Sequence, residues 1–202
     1  MYGKEGRQSL GDGVSGPIRL DKTGALVALA GGPKYMEAAL RGKLYTAANQ
    51  AAVALTAAFA TTYTGLVLEN PAGSGKNLIM TGFSYASTVA VPTATAIGLM
   101  TGADAGDAAA AITPRNRLIG GAASIAIVDN GCTLVGTPVL SQLITTAWTE
   151  ATTAGSLAQP NHVDLDGSLI VPPGYYVAVY SSAANTAAFL FSFQWIEEDQ
   201  ES

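Results

Sequence analysis

Residues Gly65–Ser87, GLVLENPAGSGKNLIMTGFSYAS, decide the fold of this chain. Two runs rich in apolar and β-branched residues flank a short segment of Pro and Gly, which is the pattern of two strands joined by a tight turn. Pro71 fixes one backbone dihedral of that turn, and Gly73 and Gly75 can adopt the positive φ that a sharp reversal needs. We therefore predict a hairpin within an all-β domain.

The same stretch contains Gly75-Lys76, which belongs to the pattern by which P-loop enzymes bind phosphate. That pattern, GxxxxGK followed by Ser or Thr, requires Gly where this chain has Asn70 and a hydroxyl where it has Asn77. It also requires a helix after the Lys, because the helix N-terminus binds the anion. The residues that follow alternate between two faces, as in a strand. We therefore expect a structural turn that binds no nucleotide.

The composition limits the class of protein. Charged residues make up 12% of the 202 positions, and the formal net charge is −5. An acidic chain without a basic patch is not expected to bind nucleic acid, and the absence of an 18-residue apolar run predicts no membrane helix. The start, MYGKEGRQSLGDG, does not have the apolar core of a secretory signal. The single Cys132 cannot form an internal disulfide, which fits a reducing compartment.

The first 40 residues differ in pattern from the rest. Residues 1–17 are rich in Gly and polar side chains, which predicts an extended arm. Apolar runs on both sides of Asp21–Gly24 are expected to pair as a short hairpin. Pro33–Arg41, with Gly42 behind it, predicts about two turns of helix. We assign residues 1–40 to an N-terminal arm and residues 41–202 to a β-sandwich domain.

Strand patterns follow one another from Lys43 onward. The Ala content of Lys43–Thr64 favours helix, but its Thr, Val and aromatic residues favour strand, which we predict. The later strands are expected at Gly65–Glu69, Asn77–Ser87, Ala96–Thr101, Leu118–Val128, Thr133–Leu140, Gly167–Val171, Tyr175–Ser181 and Ala187–Ile196. About eight strands without a helical period predict an antiparallel β-sandwich, and the count favours a jelly roll over an immunoglobulin fold.

Turn signals separate these strands. Asp129-Asn130-Gly131 lies between two β runs, and Asn-Gly suits the type I′ turn of a hairpin. Pro172-Pro173-Gly174 predicts a second sharp reversal. Loops are expected at Gly102–Pro114 and Thr152–Pro160 because both are rich in small and polar residues.

Few residues are candidates for chemistry. His162 is the only histidine, and with Asp164 and a serine it could form a triad, but no GxSxG motif accompanies it. Zinc needs more ligands than His162 and Cys132 supply, and Asp164-Leu-Asp166-Gly167 matches only part of a calcium loop. We therefore expect no catalytic, cofactor or metal site, and no enzyme activity. Trp148, Trp195 and the tyrosines could form a sugar-binding platform, or could be core residues of the sandwich.

Four strings resemble a group of tailed-bacteriophage virion proteins. They are RGKLYTAANQA at Arg41–Ala51, LENPAGSGKNL at Leu68–Leu78, VPPGYYVA at Val171–Ala178 and FSFQW at Phe191–Trp195. The resemblance extends over about residues 40–196 and is carried by structural motifs, not catalytic ones. It implies a non-enzymatic head cement or decoration protein, assembled in the host cytoplasm, that binds the capsid surface as a homotrimer. The alternative it leaves open is a spike or fibre component that recognises a host glycan.

The arm is the predicted contact with the particle. Residues 1–32 of it carry four of the ten basic residues of an acidic chain, together with apolar residues that could add short strands to the sheet edge of a partner. The partner would be the major capsid protein or another virion protein. The residues expected to bind it are Lys4, Arg7, Ile18, Arg19, Leu20, Lys22, Leu26, Val27 and Leu29.

Overall fold

The computed structural model describes residues 33–57, 59–91, 93–103, 111–148 and 161–200. The chain divides into two units, Met1–Glu37 and Ala38–Ser202. A short helix, α1 (Met36–Leu40), lies at the division. It is shorter than predicted because Pro33–Tyr35 form a turn in which the Met36 N–H donates to the Pro33 carbonyl. The helix ends before Gly42, as predicted, and Gly42 has the positive φ, 68°, that is typical of a glycine just past a helix end.

The described part of Ala38–Ser202 is built almost entirely of strands. They are β1 (Leu44–Ala48), β2 (Val53–Leu55), β3 (Thr62–Asn70), β4 (Lys76–Ser87), β5 (Thr95–Ala103), β6 (Ala111–Ile112), β7 (Arg115–Asn116), β8 (Ile127–Thr133), β9 (Val139–Ala147), β10 (Asn161–Val171), β11 (Tyr175–Ser181) and β12 (Asn185–Asp199). The predicted all-β class is thus confirmed, and the described residues of Lys43–Thr64 contain strand and no helix.

Two antiparallel sheets form a sandwich of jelly-roll connectivity. The front sheet has the order β10-β4-β12-β1-β7, with β2 also paired to β12, and the back sheet has the order β6-β8-β3-β11-β5-β9. If β1, β3, β4, β5, β9, β10, β11 and β12 are counted from one to eight, the two sheets contain strands 1-8-3-6 and 2-7-4-5. This interleaving of the two halves of the chain is the double Greek key of a jelly roll. Strands β6, β7 and β8 are inserted between β5 and β9, which are the fourth and fifth strands in this count.

The predicted hairpin at Gly65–Ser87 is wrong in one respect. Its two strands and its turn are present, but β3 belongs to the back sheet and β4 to the front sheet. The turn therefore passes the chain from one layer to the other. The side chain of Asn70 holds this crossing, because its amide donates to the carbonyls of Lys76 at 2.7 Å and of Val171 at 2.8 Å.

The core between the sheets depends on the alternation of β12. Its inward side chains are aromatic and fully buried, and they stack along the strand and against β4 and β1. Such rings supply the largest share of apolar burial in a small domain. They are Phe189, Phe191, Phe193 and Trp195.

The outward face of the back sheet carries a second apolar cluster, here called the back cluster. Two of its tyrosines lie across strand glycines: a Cβ on Gly102 would stand 2.5 Å from the hydroxyl of Tyr176, and one on Gly65 would overlap Tyr63. The Tyr63 hydroxyl donates to the Val179 carbonyl at 2.6 Å. The cluster comprises Tyr63, Val67, Met100, Cys132, Leu134, Tyr176 and Ala178, all buried.

The hairpin predicted at Asp129-Asn130-Gly131 is wrong, because these residues lie in the middle of β8. Asp129 pairs with Val67 on one side and with Ala111 on the other, and Gly131 pairs with Thr64. Gly131 does not have the positive φ of a type I′ turn. Pairing with two neighbouring strands therefore overrides the local turn preference of Asn-Gly.

Two predicted strands are also displaced. Leu118–Val128 is irregular up to β8, because Gly120, with a φ of 82°, and Gly121 close a tight turn within it. Thr133–Leu140 contains the link between β8 and β9, where Gly136 has a φ of 73°. The turn at Pro172–Gly174 and the strand Tyr175–Ser181 are confirmed.

Candidate functional site

The Gly73–Lys76 turn uses its own polar groups internally. The Ser74 N–H donates to the Pro71 carbonyl at 3.1 Å, and the Ser74 hydroxyl donates to Asn70 Oδ1 at 2.6 Å. Lys76 begins β4, and its Nζ lies 3.7 Å from the buried carboxylate of Glu197. A phosphate-binding loop needs free backbone N–H groups ahead of a helix, and this turn leads into a strand.

His162 contacts a serine and an aspartate on the outward face of the front sheet. Ser84 Oγ lies 2.7 Å from His162 Nδ1, and Asp164 Oδ1 lies 3.4 Å from Nε2. The imidazole rests on Gly82, where a Cβ would stand 3.1 Å from Cε1. His162 and Asp164 lie on the same side of β10, which begins earlier than the predicted strand Gly167–Val171, and the pairing of β10 with β4 adds Ser84.

This arrangement differs from an activated nucleophile in two ways. The side chains of His162 and Asp164 are 57% and 60% exposed, so water competes for both contacts. Ser84 also lies within a central strand that pairs with β10 on one side and β12 on the other. The N–H groups of β4 therefore point along the sheet, and not toward a carbonyl that would be bound above Ser84.

The other candidate ligands are kept apart by the fold. Cys132 lies in the back sheet and His162 in the front sheet, and burial raises the pKa of the Cys132 thiol to about 12. Asp166 and Gly167 have φ values of 53° and 79° and form a bulge in β10. No group of three metal-ligating side chains occurs among the described residues.

The two tryptophans have opposite environments. Trp195 is fully buried and stacks on Tyr45 with 6.1 Å between ring centroids, so it is a core residue. Trp148, just after β9, is 55% exposed. A sugar platform built from both residues is therefore excluded, and Trp148 is the tryptophan that a ligand can reach.

A groove of about 540 Å³ lies on the outward face of the front sheet, beside His162. It crosses β10, β4, β12 and β1, and its lining residues are Ala48, Asn49, Ser84, Tyr85, Ala86, Asn161, His162, Leu190, Phe191 and Ser192. Sequence patterns gave no signal for it, because its residues come from four separate parts of the chain.

Large apolar side chains also remain on the surface. Ile119, at the tip of the turn before β8, is 98% exposed. The others that are at least half exposed in the described part of the chain are Leu40, Val139, Leu143, Trp148 and Ile170. The residues predicted to bind a partner, Lys4 to Leu29, lie outside the described residues, and their role remains a prediction.

No family model matches the chain, and neither the curated proteins nor the solved structures include one with significant similarity to it. Within the described residues, no helix has the length and apolar character needed to cross a membrane.

Proposed function

We propose that this chain is a non-enzymatic structural protein of a tailed-bacteriophage particle, most specifically a cement or decoration protein of the head. In this role it binds the outer surface of the capsid as a homotrimer and contacts the major capsid protein or another virion protein. The four strings that resemble phage virion proteins support this class, and the jelly-roll connectivity is compatible with it.

The observation that carries the proposal is the nature of the surface. Only 12% of the residues are charged, whereas a soluble protein has about 25%. At the same time, Ile119, Val139 and Leu143 are 98%, 66% and 60% exposed. Few charged residues and exposed large apolar side chains are properties of protein surfaces that become covered by partners.

The mechanism follows from burial of this surface. A rigid sandwich that contacts two neighbouring capsomers adds interface area that must be broken before they separate. Binding to the assembled shell, and not to the dissociated subunits, shifts the equilibrium toward the shell by mass action. No chemical step is needed, which agrees with the exposed geometry around His162.

Co-sedimentation with particles that have lost the native protein tests this proposal. We expect saturable binding in hundreds of copies per particle and an increase in the temperature at which the heads release DNA. Light scattering of the free protein should give about three times the chain mass of 20.5 kDa. A stable monomer that leaves the particles unchanged would refute the proposal.

The arm is proposed to fix the protein to the particle. Ordering it costs about 1–2 kcal/mol per residue in backbone entropy, which a partner must offset. Deletion of residues 1–32 should leave the circular dichroism spectrum of a folded sandwich and abolish co-sedimentation. Unchanged binding of the truncated chain would count against the arm and leave the rest of the proposal standing.

A second candidate is a spike or fibre protein that binds a host-surface glycan. The specific observation in its favour is Trp148, which is 55% exposed and can stack on a sugar ring. Glycan-array binding that is lost in Trp148→Ala, together with at most a few dozen copies per particle, would favour this candidate over the first.

A further inference from the structure

The turn Leu118–Gly121 presents two apolar side chains to solvent in a fixed position. The Gly121 N–H donates to the Leu118 carbonyl at 2.8 Å, and Gly120 has a φ of 82° at the position where a tight turn favours Gly. Leu118 is 41% exposed and Ile119 is 98% exposed. An isoleucine held at the tip of a tight turn is available for insertion into a partner.

Two polar side chains, of Asn116 and Glu197, fix this turn and the residues after it by hydrogen bonds to the backbone. Asn116 donates from Nδ2 to the carbonyls of Gly42 at 2.8 Å and Ala122 at 3.0 Å, and its Oδ1 accepts from the Leu118 N–H at 2.8 Å. Glu197, buried in β12, accepts from the Ile125 N–H at 3.1 Å and from the Ser124 hydroxyl. The turn is therefore already ordered, and little conformational entropy remains to be lost when it binds.

The groove on the front sheet has complementary properties. Its volume of about 540 Å³ lies in the range of about 300–1,000 Å³ that is typical of clefts filled by a small ligand, so it has room for two aliphatic side chains. Its floor is apolar, with Ala48, Ala86 and Leu190 among its lining. Its rim includes His162, which contacts the exposed carboxylate of Asp164.

The charges around the two surfaces also match. Arg115 and Arg117, which precede the turn, are exposed. Asp164 is 60% exposed at the opposite edge of the front sheet, next to the groove. A chain that inserts Ile119 into the groove of another chain would bring cationic side chains toward this carboxylate, which favours that orientation of approach.

The turn cannot enter the groove of its own chain. It lies beside the start of β1, where the Arg117 N–H donates to the Leu44 carbonyl at 2.8 Å, whereas the groove meets β1 at its other end, at Ala48. At about 3.4 Å per residue, the four steps from Leu44 to Ala48 separate these two positions by roughly 14 Å along the strand. Both surfaces are held by the sandwich, so contact between them requires two molecules.

We propose that the Leu118–Gly121 turn of one copy docks in the front-sheet groove of the next copy. Such a head-to-tail contact uses two different surfaces, so each molecule has one turn and one groove to offer, and copies related by a closing rotation form a ring. A ring of three would form the trimer proposed above. The contact itself does not depend on any role in a virion.

Cross-linking between two variants, each with one added cysteine, tests this contact. Ile119→Cys and Ala86→Cys proteins are mixed and treated with a short bis-maleimide, while Cys132 remains protected because it is only 4% exposed. We expect a mixed dimer at least tenfold more abundant than that formed by Leu143→Cys with Ala86→Cys. Leu143 is the matched control, since it is 60% exposed and lies on the back sheet. Equal yields from the two mixtures would overturn the proposal.

Charge substitution gives an independent measurement. Ile119→Asp should reduce the mass from light scattering to that of one chain, and Leu143→Asp should leave the oligomer intact, with unchanged circular dichroism in both variants. A wild-type monomer, or an Ile119→Asp variant as oligomeric as wild type, would overturn the inference. If Ile119→Asp is monomeric but the wild type does not bind phage heads, the contact stands and the proposed function fails.

Discussion

The outward faces of the two sheets differ in a way that explains much of the sequence. On the front sheet, the row His162, Ser84, Ser192 and Ala48 crosses four strands with small or polar side chains. On the back sheet, the corresponding face carries the back cluster, in which Tyr176 and Ala178 are fully buried. The front sheet therefore has large buried apolar side chains on one face only, and the back sheet has them on both faces.

This difference is visible in the burial of individual strands. In β12 of the front sheet, buried and partly exposed residues alternate from Phe189 to Glu197. In β11 of the back sheet, the four consecutive residues Tyr176–Val179 are all buried. A strand buried on both faces loses the alternation by which a half-buried strand is recognised. In this chain, an uninterrupted apolar run therefore indicates a strand whose sheet is buried on both faces.

The largest change in stability is expected when a side chain is removed from the back cluster. Tyr176→Ala should lower the free energy of unfolding by about 3–5 kcal/mol, because it deletes a buried ring and leaves a cavity. Urea denaturation followed by tryptophan fluorescence measures the change. Tyr176→Phe is the control: the buried hydroxyl of Tyr176 has no hydrogen-bond partner among the described residues, so its loss should cost about 1 kcal/mol or less. A small effect of Tyr176→Ala would mean that the back face is not a core.

Two glycines beneath rings give a matched pair. A Cβ on Gly102 would stand 2.5 Å from the hydroxyl of buried Tyr176, and one on Gly82 would stand 3.1 Å from the ring of exposed His162. Gly102→Ala should therefore destabilise by about 1–3 kcal/mol through overpacking. Gly82→Ala should be neutral or stabilising by at most about 1 kcal/mol, since His162 can move and Ala loses less entropy than Gly. Thermal unfolding of both variants measures the difference, and equal losses would contradict it.

A smaller effect is expected at Asp129, a carboxyl buried in β8. Burial raises its pKa, so the folded chain favours the protonated form and stability falls as pH rises from the unfolded value near 3.8 through the folded value. Asp129→Asn removes this ionisation, and should be more stable than wild type at pH 7. This difference in stability should disappear below about pH 4, where Asp129 of the wild type is protonated and is then as neutral as the asparagine of the variant. Urea midpoints between pH 3 and 8 measure it, and an advantage that grows in acid would contradict the assignment.

The smallest effect is expected on the front face. His162→Ala removes the contacts with Ser84 and Asp164, both on an exposed surface. Because water replaces those contacts, the unfolding free energy should change by no more than about 0.5 kcal/mol. Chemical denaturation measures it, with Ser84→Ala as the companion variant. A loss of several kcal/mol would show that the polar row is structural and would remove the contrast between the two faces.

The sequence predicted well the features that depend on near neighbours along the chain. The strand Tyr175–Ser181 and the turns at Pro71–Gly75 and Pro172–Gly174 are present where local pattern indicated them. The turn expected at Asp129–Gly131 was lost, because β8 pairs there with β3 and β6. Local turn chemistry holds only where no neighbouring strand competes for the same backbone groups.

The candidate sites, in contrast, could not be predicted from local sequence patterns, because they join residues that are distant along the chain. His162 meets Ser84 over 78 positions of sequence separation, and the groove takes its lining from four strands. Glu197, which lies in an acidic run of the sequence, is buried and holds the segment that follows the Ile119 turn. None of these juxtapositions has a local pattern that could reveal it.

The sequence by itself determined that the chain is an antiparallel β-sandwich, because strand periodicity and Pro/Gly turns are properties of a few consecutive residues. Only the tertiary structure decided that β3 and β4 belong to different layers, that the back sheet is apolar on both faces, and that Ile119 stands clear of the surface. The physical reason is that pairing and burial depend on strands distant in sequence, whose partners are chosen by how the whole set of apolar faces can be covered at once.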